Sequence, residues 1–153
     1  MERSPFFPLA AFVLLILLSV FSLLGHLLAA RRPMGPPPLT GILVETAEGP
    51  RLLRGRLARS PQAWSRGLGV REEDLEALLH LFPQATDAPF SAEGYRFPVV
   101  VAFLDGQGWV LRVVRLEPGE RFSPGTAYRG VLEVREKILT LEPGDRVVGP
   151  KAP

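Results

Sequence analysis

Few side chains in this sequence could carry out chemistry. The 153 residues include no cysteine and two histidines, His26 and His80. Thiolate zinc, iron–sulfur clusters, cysteine nucleophiles and multi-histidine metal sites are therefore excluded. His80 stands in the apolar run Ala77–Pro83 (ALLHLFP), four residues after Glu76. On a helix those two would pair. As a general base His80 would need a nucleophile or acid partner, and none can be placed from the sequence. The expectation is an imidazole filling an apolar or half-buried slot. Glu133 is the unusual carboxylate, because it stands mid-run in Val131–Val134 (VLEV). Arg66, in Ser65–Leu68 (SRGL), is its expected partner. Beneath a helix the pair would fix packing, and facing a cleft it would bind a ligand. Tyr95 and Arg96, with Phe97, form an aromatic-basic stretch. It would either bind a ligand or pack one ring onto a sheet. Asp105 and Asp145 fall in Asp-Gly and Pro-Gly-Asp turns, which explains both. Gly67 and Gly69 make no phosphate loop, since no helix follows them. The candidate binding residues are thus Arg66, Tyr95, Arg96 and Glu133. No catalytic residue, metal ligand or cofactor is assigned.

The elements that must position these groups read as mainly β. Ile42–Thr46 and Arg51–Ala58 are strand candidates. Ser60-Pro61 is a helix start, an N-cap followed by proline at the first helical position. Arg71–Phe82 fits either a helix or, at its end, a buried strand, and Pro83 is expected to break it. Pro98–Leu104 (PVVVAFL) is apolar on both faces and reads as a central strand. Asp105-Gly106 turns it into Trp109–Leu116 as a hairpin. Tyr128–Arg135, Ile138–Leu141 and Arg146–Val148 complete the strands. Short strands with frequent turns predict a small sandwich or barrel-like domain with one or two short helices.

Ahead of this domain, Leu9–Ala30 carries no formal charge and contains nine leucines. Twenty-two helical residues reach about 33 Å, against a hydrocarbon core of about 30 Å. Fourteen strongly apolar residues contribute on the order of −4 to −8 kcal/mol to insertion. A cleaved signal peptide would have a shorter apolar region and a small-residue cleavage site, and Leu28-Ala29-Ala30 matches that poorly. The reading is a single transmembrane helix, with tail and anchor over residues 1–30. His26 lies about one turn from its end, among the headgroups. Residues 31–40 (RRPMGPPPLT) form a proline-rich linker favouring polyproline II. Residues 41–149 are the β-rich domain. Fifteen of the 18 basic and fifteen of the 16 acidic residues lie from Leu39 onward, so that part is neutral. A neutral domain has no electrostatic footprint for nucleic acid. The partner expected through residues 9–30 is the cell membrane. Lys and Arg counts alone put the domain on the cytoplasmic side, on few charges.

Five motifs in order resemble the family called Domain of Unknown Function 192. They are Ala58–Leu68 (ARSPQAWSRGL), Ala77–Pro83 (ALLHLFP), Pro98–Gly106 (PVVVAFLDG), Val131–Val134 (VLEV) and Gly144–Val147 (GDRV). The resemblance covers about Gly41–Val148 and implies a compact mainly-β sandwich of no established activity. Bacterial members often follow a signal or anchor, which points to an extracytoplasmic domain. The family tends to carry an aromatic residue where this chain has His80. It usually also carries Trp-Met-Lys-Asn-Thr after the Phe-Pro turn, then Pro-Leu-Asp. Here the equivalents are Ser91-Ala92-Glu93-Gly94-Tyr95 and Pro98-Val99-Val100. The framework is kept and the polar signature is not, so the family's site cannot be carried over.

The expected function is a membrane-anchored β-domain acting as a non-enzymatic binding or interaction module without a strong polar cleft. The alternative is a carboxylate-dependent hydrolase acting on envelope material. It requires two of Glu93, Asp105, Glu133 and Asp145 to meet in one pocket.

Overall fold

The computed structural model describes residues 39–70 and 74–151. The expected anchor, and the linker as far as residue 38, lie outside the described residues. Chain order is β1 (Leu39–Thr46), β2 (Gly49–Ala58), a one-turn helix α1 (Pro61–Trp64), a 3-10 turn (Leu68–Val70) and β3 (Ala77–Thr86). Then come β4 (Phe90–Ser91), β5 (Val99–Leu104), β6 (Val110–Leu116), β7 (Arg121–Phe122), β8 (Tyr128–Arg135) and β9 (Arg146–Lys151). Seven strands make one sheet in the order β6-β5-β8-β3-β2-β1-β9, and β4 with β7 forms a separate ribbon. The protein is mainly β, as its sequence predicts. Its sheet is a curled half-barrel rather than two stacked sheets. The curl brings the edges together: Trp109 and Arg146 form a bridge. Val110 N–H donates to Asp145 O (2.9 Å) and Val147 N–H to Gly108 O (2.8 Å). Gly108 is needed at this seam. Its φ is +86°, and a Cβ there would overlap the carbonyl of Val147.

Period-two alternation sends side chains to the two faces in turn. Inside the curl lie Ile42, Val44, Leu53, Leu79, Ala102, Leu104, Leu132 and Val134. Outside it, Leu78, Val101, Phe103 and Val131 pack under Leu68, Leu75, Tyr95 and Tyr128. The crossover from β2 to its parallel neighbour β3 runs through α1 and the 3-10 turn, and these cover the outer face. Ser60 caps α1 as expected, its Oγ accepting from Ala63 N–H (3.3 Å).

Three expectations change and one open reading is settled. The first strand begins at Leu39, two residues inside the expected linker. The ambiguous segment is strand from Ala77, because Ala77–His80 lie between β2 and β8 and are buried on both faces. A helical pairing of Glu76 with His80 is therefore gone, and Glu76 Oε2 instead accepts from Arg54 N–H (2.7 Å). Pro83 does not end β3. The ladder with β8 is irregular between Leu81 and Thr86, so a missing N–H there breaks no regular pair. Ile138–Leu141 is loop, not strand. Leu139 and Leu141 are buried because they plug the interior of the curl, and burial alone produces their alternation.

Candidate functional site

In the antiparallel pairing of β3 with β8, Leu78 faces Glu133 and His80 faces Val131. Alternation puts all four on the outer face, with His80 and Glu133 as diagonal neighbours. Glu133 is 0 % exposed and His80 3 %. His80 Nε2 lies 2.6 Å from Glu133 Oε1. The other carboxylate oxygen, Oε2, accepts from the Tyr95 hydroxyl (2.7 Å) and from the backbone N–H of Leu68 (2.9 Å). Removing a carboxylate from water costs several kcal/mol. Two donors, Leu68 N–H and the Tyr95 hydroxyl, together with the facing His80 nitrogen, offset that cost.

Local sequence explains how the donors arrive. Tyr95 follows β4 in a loop fastened by Arg96 N–H to Gly69 O (2.9 Å) and Tyr95 N–H to Ala92 O (3.2 Å). Its ring lies directly on the Gly67-Leu68-Gly69 backbone. A Cβ on Gly67 would overlap the Tyr95 hydroxyl, and one on Gly69 would overlap the ring. The two glycines are there for this close approach. Trp64 Nε1–H fastens α1 to Ala58 O (3.0 Å).

The His80–Glu133 pair forms the floor of a cavity of about 840 Å³. Its walls include Trp64, Phe82, Phe90, Tyr95 and Tyr128. Phe82 contacts Trp64 (5.0 Å between centroids) and Tyr128 (5.9 Å), and lies nearly parallel to the His80 ring. Burial pushes the Tyr128 hydroxyl above its ordinary value of 10.0, and the charge of Asp87 adds to the effect. That hydroxyl donates to Ala88 O (2.7 Å). Glu93 and Arg121, 3.7 Å apart and both exposed, stand at the mouth. Among the described residues no group of three or more His, Asp or Glu could hold a metal ion.

Of the four candidate binding residues, the fold brings Tyr95 and Glu133 into direct contact. Arg66 and Arg96 are exposed. Glu133 meets His80, Tyr95 and the Leu68 amide in place of the expected Arg66 guanidinium. His80 is thus a hydrogen-bonded member of the site and no mere filler. The signal for it was present: a histidine and a glutamate, each inside an apolar strand, must satisfy each other when those strands pair. Of the four carboxylates considered for hydrolysis, Glu93 and Glu133 line this cavity. Asp105 and Asp145 serve turns, accepting from Trp109 N–H (2.9 Å) and Glu142 N–H (2.8 Å) respectively.

Comparison with known proteins gives one family and a shared fold. The family model DUF192, described as an uncharacterized ACR, matches residues 43–149. A search of curated proteins finds no match. Among solved structures, a protein from Sinorhizobium meliloti 1021 described as a "putative transcription regulator" superposes with a TM-score of 0.66 at 21% identity. The match covers 76% of this chain and 98% of that one. A protein of unknown function from Novosphingobium aromaticivorans DSM 12444 gives 0.64 at 22% identity, covering 76% and 89%. At such identities the likeness speaks for the fold alone. With most of its length matched by the family model, this chain belongs to the DUF192 family.

Proposed function

We propose that the domain is a small-molecule-binding module, held at a membrane by residues 9–30 on the extracytoplasmic side. One observation carries the binding reading: an aromatic-walled cavity of about 840 Å³ whose floor is a buried, hydrogen-bonded His80–Glu133 pair. Concave, mostly apolar sites with a few fixed polar groups are the usual form of small-molecule sites. The presence of this polar floor revises the expectation of a domain without a polar cleft. It does not by itself make an enzyme. Glu133 has no exposed surface, and its two oxygens already face three partners. Glu93, the second carboxylate of the cavity, stands at the exposed mouth beside Arg121. The hydrolase alternative needs two carboxylates acting on opposite sides of one bond, and of these two only Glu93 is exposed.

The test is a screen of small aromatic fragments by NMR on the full-length chain in detergent micelles. Binding fragments are expected to shift the ring signals of Phe82, Phe90 and Tyr95 together. Shifts confined to other parts of the domain would overturn the reading.

A further inference from the structure

His80 has two ring nitrogens, and the structure distinguishes them. Nε2 faces Glu133 at 2.6 Å. Among the described residues no group bonds Nδ1, and the buried side-chain nitrogen or oxygen without a partner is Arg146 Nε. Nδ1 is therefore reached from the cavity that His80 lines. In a neutral imidazole one nitrogen donates and the other accepts. Which does which is set by the partner of the first. Glu133 Oε2 already accepts two hydrogen bonds, from the Tyr95 hydroxyl and the Leu68 N–H. A carboxylate can only accept, so the imidazole proton belongs on Nε2. Nδ1 is left as a bare lone pair at the floor of an aromatic-walled cavity.

We propose that Glu133 fixes the tautomer of His80 and so makes the cavity floor a hydrogen-bond acceptor. The site then takes neutral ligands with an aromatic or apolar body and one O–H or N–H donor, phenols being the simplest. This rests on the binding reading above and names the ligand class for it. A ligand whose polar atom can only accept would set its lone pair against that of Nδ1, leaving both buried and unpaired. Discrimination by an unpaired buried group is stronger than discrimination by shape alone.

Glu133→Gln reverses the logic. The amide oxygen must take over the Leu68 N–H and Tyr95 hydroxyl, which turns the amide N–H₂ toward His80. Nε2 then becomes the acceptor, and the proton moves to Nδ1. The floor turns from acceptor to donor while its shape barely changes.

The experiment uses the full-length chain in micelles with 15N-labelled histidine, where two residues give a simple spectrum. His80→Phe assigns the signals. At about pH 8, His80 is expected to show a pyrrole-type Nε2 and a pyridine-type Nδ1. Phenol should shift Nδ1 and bind about three- to tenfold more tightly than anisole, which has the same ring but no donor. In Glu133→Gln the nitrogen types exchange and that preference is lost or inverted. The proposal is overturned if wild-type Nδ1 carries the proton, alone or together with Nε2. It is overturned equally if phenol and anisole bind alike, with both shifting the cavity rings. In that case the binding reading stands and the donor rule fails. If neither probe reaches the rings, the binding reading fails and the donor rule goes with it. Should Glu133→Gln not fold, the wild-type tautomer and the phenol–anisole pair still decide.

Discussion

Tyr128 shows how a single buried hydroxyl ties stability to pH. Its ring is 4 % exposed and stacks edge-on to Phe103 at 4.9 Å. Burial first, and the Asp87 charge second, raise its folded-state pKa above 10.0. The fold therefore prefers the neutral phenol. That preference contributes in full below the unfolded-state value of about 10 and is lost as pH rises through the higher folded value. Urea midpoints measured from about pH 8 to about pH 11 should fall for the wild type. In Tyr128→Phe they should start about 1 kcal/mol lower, for the lost bond to Ala88, and fall less steeply. Equal slopes for the two proteins would contradict this account. The Arg115–Glu136 pair also shifts its partners, with the guanidinium holding the Glu136 carboxyl low. It lies at the surface, so its effect on stability is small.

Among the elements, the segment between β2 and β3 matters most, because it lays a backbone amide over Glu133 and seats the Tyr95 ring that bonds the same carboxylate. The Gly67-Leu68-Gly69 backbone and the Tyr95 ring leave no room for a methyl group. Gly67→Ala should displace the Tyr95 hydroxyl from Glu133 and cost about 2–4 kcal/mol, from overpacking and from a weakened buried hydrogen bond. In a Tyr95→Ala background the obstacle is gone, so the added cost of Gly67→Ala should drop below about 1 kcal/mol. Denaturation of the four proteins in the cycle measures this. Additive costs would mean that the glycine serves some other purpose. The sequence showed Gly67 and Gly69 only as glycines that make no phosphate loop, and the reason for them was not legible. A glycine needed for close approach by a residue 28 positions away leaves no local mark.

On the scale of the whole molecule, the sheet closes on itself through the β6–β9 seam, and its outer face carries the cavity. The expected membrane helix precedes it in sequence. If the proposed anchor holds, the full-length protein should sediment with membranes and remain there through an alkaline wash, since about 14 apolar side chains of residues 9–30 would enter the lipid. Release by that wash, or a mature chain beginning after residue 30, would show that the segment is no anchor. Neutrality of the part from Leu39 onward leaves electrostatic recruitment of that part to lipid without a driving force, so under the proposed anchoring the holding falls to the apolar run.

Alternation and turn residues alone were enough for the strand content, the Asp105-Gly106 hairpin and the Ser60 cap, while the family was reached through the resemblance of five motifs in order. These depend on neighbours in sequence: turn residues, period-two burial and an N-cap oxygen within three residues of its donor. Glu133 also declared itself, because an acid inside an apolar strand demands a partner. The identity of that partner was decided by tertiary structure. Arg66 was the expected one on charge, whereas strand register set His80 diagonal to Glu133 and packing delivered Tyr95 from a distant loop. Pro83 inside a strand and the buried loop Ile138–Leu141 were decided the same way, by an irregular ladder and by a gap in the curl. Register and closure are properties of paired strands, so no single segment of the chain contains them.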